Sequence, residues 1–378
     1  MFADSSTESK PFLVLHNPGV LLSIIIPTLN EAGNLAALFD DLKRQQEISF
    51  EIIIGDGGST DATRSVADSF GVQWVSAQRG RGAQMNAAAA KATGAYYLFL
   101  HADSRIDDPC LLKEAVHALQ LALPENLRVA GHFCLRFLRS TQRNPLAYRY
   151  LEEKTVCNRV NTTNGDQGLL LAQEFFHQLG GFDQSLPFLE DQRIAESIRS
   201  QGTWITLPGY LKTSARRFEV EGFHRRYLLM GMMMAFHAIG MNSFFAAAPG
   251  IYRVQQETGK LLLYPFFSRI WQMIRYDWGL AESIRTFYAL GRKVCQNSWQ
   301  MFFFLDVWLR PLWGARRYPL LDFHDQFFAR CNPFRLCNAL AGLLCFIWFM
   351  LILTPFFWLS EMKQRNVTHC KNQHAQSE

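Results

Sequence analysis

The stretch YYLFLHADSR, residues 96–105, joins five apolar or aromatic residues to His101, Ala102, Asp103, Ser104 and Arg105. Strand formers that break abruptly into polar residues predict a buried strand with side chains presented at its C-terminal tip. In open α/β sheets ligands bind in the crevice beyond the carboxyl ends of the strands, so Asp103 is a candidate ligand or metal contact. A lone Asp after a strand can equally cap the next turn. The neighbouring segments decide between these readings.

Upstream, Leu21 to Ile26 reads as a compact strand stopped by Pro27, and Thr28-Leu29-Asn30-Glu31 opens a helix reaching about Gln46. Thr28 and Asn30 have N-cap chemistry, and Glu31 sits where the helix dipole favours an acid. A second strand, Glu51 to Ile54, ends in GDGGSTD at 55–61. Its glycines permit a tight turn with close backbone approach to a ligand, and Thr60 or Asp61 can cap the following helix. A third strand, Val72 to Ser76, leads through Gln78-Arg79-Gly80-Arg81-Gly82 into a helix over Ala83 to Ala92. Arg79 and Arg81 at that helix N-terminus suit a diphosphate, because charge, backbone amides and dipole converge there. With residues 96–105 as strand four and a helix at 108–121, the pattern predicts an α/β fold with a doubly wound, mostly parallel sheet. No GxGxxG follows the first strand and no GxxxxGK[ST] loop occurs, so a mononucleotide-type site is expected rather than a dinucleotide one.

Downstream, Arg128 to Phe137 reads as a strand and 145–158 as a helix. NGDQG at 164–168 precedes an apolar LLL and the run QEFFHQLGGFDQSLPFLEDQRIAESIRSQG at 173–202. Glu190 and Asp191 open a helix, where two acids either stabilise its dipole or carry chemistry.

Charge and hydropathy divide the chain further. Between Phe223 and Arg330 there are 13 Lys and Arg against 6 Asp and Glu, a net +7 within a total of +5. A segment this basic and aromatic fits an anionic bilayer surface better than nucleic acid, because it is so apolar. Ala339 to Leu359 is uncharged and long enough for a membrane-spanning helix. Leu228 to Ile251 contains Gly, His, Asn and Pro and reads as one or two interfacial helices. The expected organisation is a leader at 1–20, a catalytic domain at 21–217, a membrane-surface region at 218–335, a transmembrane helix at 336–360 and a polar tail at 361–378. The eight cysteines form no CxxC pair and read as reduced thiols of a cytosolic compartment. No secretory signal is apparent, so the sequons at Asn161 and Asn366 read as chance matches.

SIIIPTLNE at 23–31, GDGGSTD at 55–61 and FLHADS at 99–104 together resemble the nucleotide-binding half of family 2 glycosyltransferases with a GT-A fold. LHAD with RGRGAQMN at 79–86 is closest to a bacterial subgroup with poorly defined substrates, and the likeness fades after about Arg217. The resemblance implies a sugar transfer from a UDP- or GDP-linked donor. It assigns Pro27, Thr28, Glu31, Asp56, Arg79, Arg81, His101, Asp103 and Asp166 to the nucleotide-sugar site. Asp56 would accept a hydrogen bond from the nucleobase, Thr28 and Glu31 would border base and ribose, and the arginines would meet the phosphates.

Asp103 would ligate Mg²⁺ or Mn²⁺, Asp191 would be the general base of an inverting displacement and Glu190 would orient its neighbours. Asp166 would face the donor sugar or the acceptor. His101 departs from the family, which commonly places a second acid there. The processive QxxRW motif is missing, since Gln192 and Arg193 are followed by Ile194, so a single transfer is expected. A lipid-linked acceptor at the bacterial inner membrane, with the catalytic domain in the cytoplasm and no nucleic-acid partner, completes the expectation. Nucleotidyl transfer, or an idle nucleotide-sugar-binding membrane scaffold, are the alternatives.

Overall fold

Alternating apolar residues build the sheet from its centre. In the computed structural model, which describes residues 21–123, 128–186, 188–241, 244–245, 248, 250–251, 260–313, 317–331 and 334–362, Leu22, Ile24 and Ile26 of β1 (Leu21–Thr28) face one layer of helices. Ile25, one residue out of step, faces the other. The same alternation recurs in β2 (Ser49–Asp56) and β4 (Tyr96–Phe99), whose Ile53, Tyr97 and Phe99 join Ile25. Both faces are therefore covered, as a doubly wound sheet requires. The leader at 1–20, the tail beyond Met362, Asn366 and Cys370 lie outside the described residues.

Helices α1 (Ala32–Lys43) and α4 (Leu111–Ala122) pack on the first face, with α2 (Thr63–Ser69) beside α1. Helices α3 (Arg81–Ala89), α6 (Gln173–Gln178) and α7 (Glu190–Gln201) pack on the second. The remaining strands are β3 (Gln73–Ser76), β5 (Ser104–Arg105), β6 (Val129–Leu138), β7 (Leu169–Ala172) and β8 (Thr203–Ser214), and α5 spans Pro145–Lys154. The eight strands run in the order β3-β2-β1-β4-β7-β6-β8-β5. The first four are parallel as expected, whereas β7 enters antiparallel to β4 and β6, so the sheet is mixed.

Two local expectations change. Pro27 does not stop β1, which continues to pair Pro27 with Gly55 and Thr28 with Asp56. The ladder with β4 ends at Ile25 and Phe99, so the proline's missing N–H breaks no pairing there. Helix α1 begins at Ala32, not Thr28, and neither Thr28 nor Asn30 caps it. Its first amides are met from the α2 side, Glu31 N–H by Thr63 Oγ1 at 2.9 Å and Ala32 N–H by Asp61 Oδ2 at 3.3 Å. Strand β8, for which the sequence offered no reading, contains Pro208 and Gly209, which fall in a bulge between the two stretches paired with β6.

The chain divides into two compact units, one running to Arg139 and resuming over Ala147–Ala215, the other Ser140–Leu146 with everything from Arg216 onward. The second unit is helical: α8 (Arg216–Glu221), α9 (Phe223–Ala238), α10 (Tyr264–Gln272), α11 (Leu280–Gln296), α12 (Trp299–Trp308), α13 (Arg310–Trp313), α14 (Pro319–Gln326) and α15 (Arg335–Ile347). A π-helical segment, Trp348–Leu353, carries α15 on to Met362. Among the described residues this helix, Arg335–Met362, is the one long and apolar enough to cross a membrane.

Candidate active site

The C-terminal tips of β1 and β2 converge on Asp56. Thr28 Oγ1 donates to Asp56 Oδ1 at 3.1 Å, Ser59 Oγ donates to the same oxygen, and the amides of Gly58 and Ser59 donate to Oδ2 at 2.9 Å each. Asp56 is buried and its lone pairs are used within the protein. These four hydrogen bonds make the carboxylate the pin of the GDGGS turn. Asn30, in a left-handed conformation with φ of 57°, closes the neighbouring loop. Its Oδ1 accepts from Thr60 N–H at 2.8 Å, and its own amide donates to Ser59 Oγ. Glu31 is half-buried and accepts from Asn34 Nδ2 at 2.7 Å.

Helix α3 ties this corner to the other side of the site. Gln84 is buried, and its Nε2 donates to the carbonyls of both Thr28 and Gly55, the latter at 3.1 Å. The approach needs a glycine, since a Cβ on Gly55 would lie 2.2 Å from the Gln84 carbonyl oxygen. Two residues on, Asn86 exchanges hydrogen bonds with the backbone of Phe182 at 2.8 and 2.9 Å, fixing the Gly181-Phe182 turn. Arg79 and Arg81 stand exposed at the start of the helix. The sequence reading used RGRGAQMN for its arginines and missed Gln84 and Asn86, whose partners lie 56 and 96 residues away.

Beyond β4, His101 Nδ1 and Asp166 Oδ1 lie 2.7 Å apart. Asp166 belongs to a loop pinned from several directions. Gly165 N–H donates to Asp191 Oδ2 at 2.7 Å, Gln167 Nε2 donates to the Thr162 carbonyl, and Gln192 Nε2 reaches the Thr163 carbonyl at 2.9 Å. Gln192 N–H donates to the second Asp191 oxygen at 2.8 Å, so backbone amides orient both oxygens. A Cβ on Gly165 would sit 2.9 Å from His101 Nε2, which explains the glycine. Leu189, just before Glu190, has φ of 67°, a strained conformation for a non-glycine residue and of the kind that gathers at functional sites.

His101, Gly165, Glu190 and Asp191 line one cavity of about 30 Å³, with Met85 and Phe99 among its apolar walls. Glu190 is buried, and its pKa is raised by desolvation and then by the Asp191 charge, with Arg81 opposing. The Arg81 guanidinium lies 4.0 Å from Glu190, so one arginine at the start of α3 reaches the acids at the start of α7. Asp103 is half-buried at the tip of the β4 turn, which the Ser104 amide closes on the His101 carbonyl. Behind it, buried Asp41 of α1 accepts from Arg105 and from the Ile106 amide at 2.9 Å. Burial would raise the Asp41 pKa, but these hydrogen bonds and the charges of Arg105 and Arg44 hold it below the usual value. This brace fixes the exit of the HADS turn.

Among the described residues no three His, Cys, Asp or Glu side chains converge to hold a metal by themselves. Mg²⁺ and Mn²⁺ fit nevertheless, since hard cations are commonly held by one or two carboxylates plus substrate phosphates. Asp103 can supply that carboxylate. The described cysteines 110, 134, 157, 295, 337 and 345 are free thiols.

Residues 23–122 match the family model described as glycosyl transferase family 2. Glycosyltransferases of PGL/p-HBAD biosynthesis from Mycobacterium bovis and Mycobacterium tuberculosis are 40% identical over 93 residues, covering 23% of this chain and 36% of theirs. The match thus spans about a third of the length of these curated relatives. Among solved structures, a mannosyltransferase from Pyrobaculum calidifontis in complex with GDP-Man and Mn²⁺ is similar at 18% identity and a TM-score of 0.44, over 90% of this chain and 92% of that one. Staphylococcus aureus TarS 1–349 in complex with UDP is similar at 17% identity and a TM-score of 0.43, over 84% and 90%. The residues that match the glycosyl transferase family 2 model, 23–122, are those that build strands β1 to β4 and the helices between them.

Proposed function

We propose that the chain transfers one hexosyl group from a UDP- or GDP-linked donor to an acceptor hydroxyl, with inversion. The observation that carries this reading is the meeting of Glu190, Asp191 and His101 in one cavity, with Arg81 of the arginine pair 4.0 Å from Glu190. Asp191 takes the proton of the acceptor hydroxyl while its oxygen bonds to the anomeric carbon and the nucleoside diphosphate departs. The amides of Gly165 and Gln192 aim the carboxylate, which is the positioning such a step needs. Arg79 and Arg81 neutralise charge growing on the leaving diphosphate. Asp103, together with the donor phosphates, would hold Mg²⁺ or Mn²⁺, which would supply further charge stabilisation when bound.

Pro27, Thr28 and Glu31 form the wall for base and ribose, Asp56 keeps the turn beneath them in shape, and Asp166 faces the sugar or acceptor. His101, tied to Asp166, stands where the resembled family commonly has a second acid, so the site binds its cation with less fixed charge. The acceptor is lipid-linked and the protein works at the inner membrane with its transferase domain in the cytoplasm. The basic, aromatic second unit supports this placement by raising the local concentration of enzyme at the lipid.

A panel of nucleotide sugars, with and without Mn²⁺, tests the reading through thermal stabilisation and product analysis. A true donor at about 100 times its Kd adds about 2.7 kcal/mol. Release of a nucleoside diphosphate is expected. Release of pyrophosphate would identify a nucleotidyltransferase instead, and binding without turnover would identify a scaffold.

A further inference from the structure

The helix Arg335–Met362 is two-sided. Asn338, Gly342, Phe349, Phe357 and Glu361 are turned into the second unit and buried, while Leu336, Leu340, Leu344, Ile347, Leu351 and Leu359 form an exposed apolar stripe along the other side. At about 1.5 Å per residue its 28 residues could cross a bilayer core of about 30 Å. Its neighbours argue against a crossing. Helix α11 packs antiparallel along its first half: Cys295 Sγ reaches the Cys337 carbonyl at 3.7 Å, and the rings of Phe287 and Phe346 stand 5.0 Å apart. Gly291 and Gly342 make the contact intimate, since a Cβ on Gly291 would lie 2.3 Å from the Gly342 nitrogen.

In that alignment Arg285 and Glu282, within about a turn and a half of Phe287, lie beside the midpoint of the long helix. Their side chains are 79% and 54% exposed. Along the second half, Phe267 of α10 packs on Phe349 and Phe357, and the partly exposed Arg269 of α10 pairs with Asp277 at the end of the π-helical segment Met273–Asp277 that follows it. The end of the long helix is sealed by Glu361, 2% exposed, which accepts from Arg225 and from the amides of Leu263 and Tyr264 at 2.9 and 3.1 Å. A span would carry these exposed charges into hydrocarbon along both halves, where ionised side chains are costly. A helix lying in the plane of one leaflet would bury its stripe and leave the charges among the headgroups.

We infer that Arg335–Met362 is an in-plane anchor: its Leu336–Leu359 stripe sits in one leaflet of an anionic bilayer and both of its ends stay on the same side. The occupant is a bilayer because the stripe carries no charged residue along its length, while residues 223–330 supply a net +7. The inference rests on the membrane association proposed above and not on the transferase chemistry.

The full chain, tagged at both termini, is produced in bacteria and inverted inner-membrane vesicles are treated with protease. Both tags are expected to be cut without detergent. A C-terminal tag protected until detergent is added would establish a span and overturn the in-plane anchor alone. A wholly soluble protein would overturn the membrane reading with it. The double variant Leu344→Lys, Leu351→Lys is expected to lower partition into phosphatidylglycerol-containing vesicles by at least about tenfold, with an unchanged melting curve in detergent. Unchanged partition, together with loss of a dimer seen by light scattering, would assign the stripe to a second copy of the chain and overturn the inference.

Discussion

The two sides of the candidate site are built on opposite principles. At the tips of β1 and β2 the acid, Asp56, accepts hydrogen bonds from four donors of its own turn and of Thr28. At the start of α7 Glu190 is buried next to Asp191, and its carboxyl is pushed upward by burial and by its neighbour's charge. One side spends its acid on shape, and the other keeps Glu190 in an environment that disfavours its charge. Perturbed carboxyls in a cavity are where proton transfer is expected, and a satisfied turn is where rigid recognition is expected.

Substitutions should separate the two sides. The largest effect belongs to Asp191→Asn, which should lower kcat by about 10²–10⁴-fold and leave the donor Kd within about twofold; preserved turnover would move the base elsewhere. Next, Asp56→Ala removes four acceptor contacts and should cost about 2–4 kcal/mol in denaturant unfolding, with donor affinity falling alongside. If stability falls but the donor still binds normally, the turn is structural and the base is recognised elsewhere.

The smallest effect has the opposite sign. A Glu whose folded pKa is raised adds stability below its unfolded pKa and loses it as pH rises through the folded value. Glu190→Gln should therefore stabilise the protein at neutral pH, and the advantage should vanish on acidification below the ordinary glutamate range. Melting curves from pH 4 to pH 8 measure this directly. A uniformly destabilised variant would show that Arg81 outweighs burial at this position.

The contrast also explains what could be read from the chain alone. Strands β1 to β4 are apolar runs ended by polar turns, so their order and the residues at their tips were legible. Strand β8 was not, because Pro208 and Gly209 interrupt it and only the bulge opposite β6 accommodates them. The cap of α1 was misplaced for a similar reason: Asp61 and Thr63 supply it from about 30 residues downstream, where no local pattern points. Glu190 and Asp191 could be placed at a helix start from sequence, but the loop amide that holds Asp191 depends on Gly165, whose need is visible only once His101 is beside it. Short-range chemistry is written in short-range sequence, and the braces of this site are long-range.

Gln84 has a practical consequence for anyone grafting loops between relatives. One side-chain amide holds the carbonyls at the ends of both β1 and β2, and the helix that carries it begins at Arg81. The loops that follow β1 and β2 therefore cannot be exchanged singly. Residues 27 to 86 must travel as one cassette, with position 55 kept as glycine, or the start of α3 and its arginines will lose their place against both strand ends.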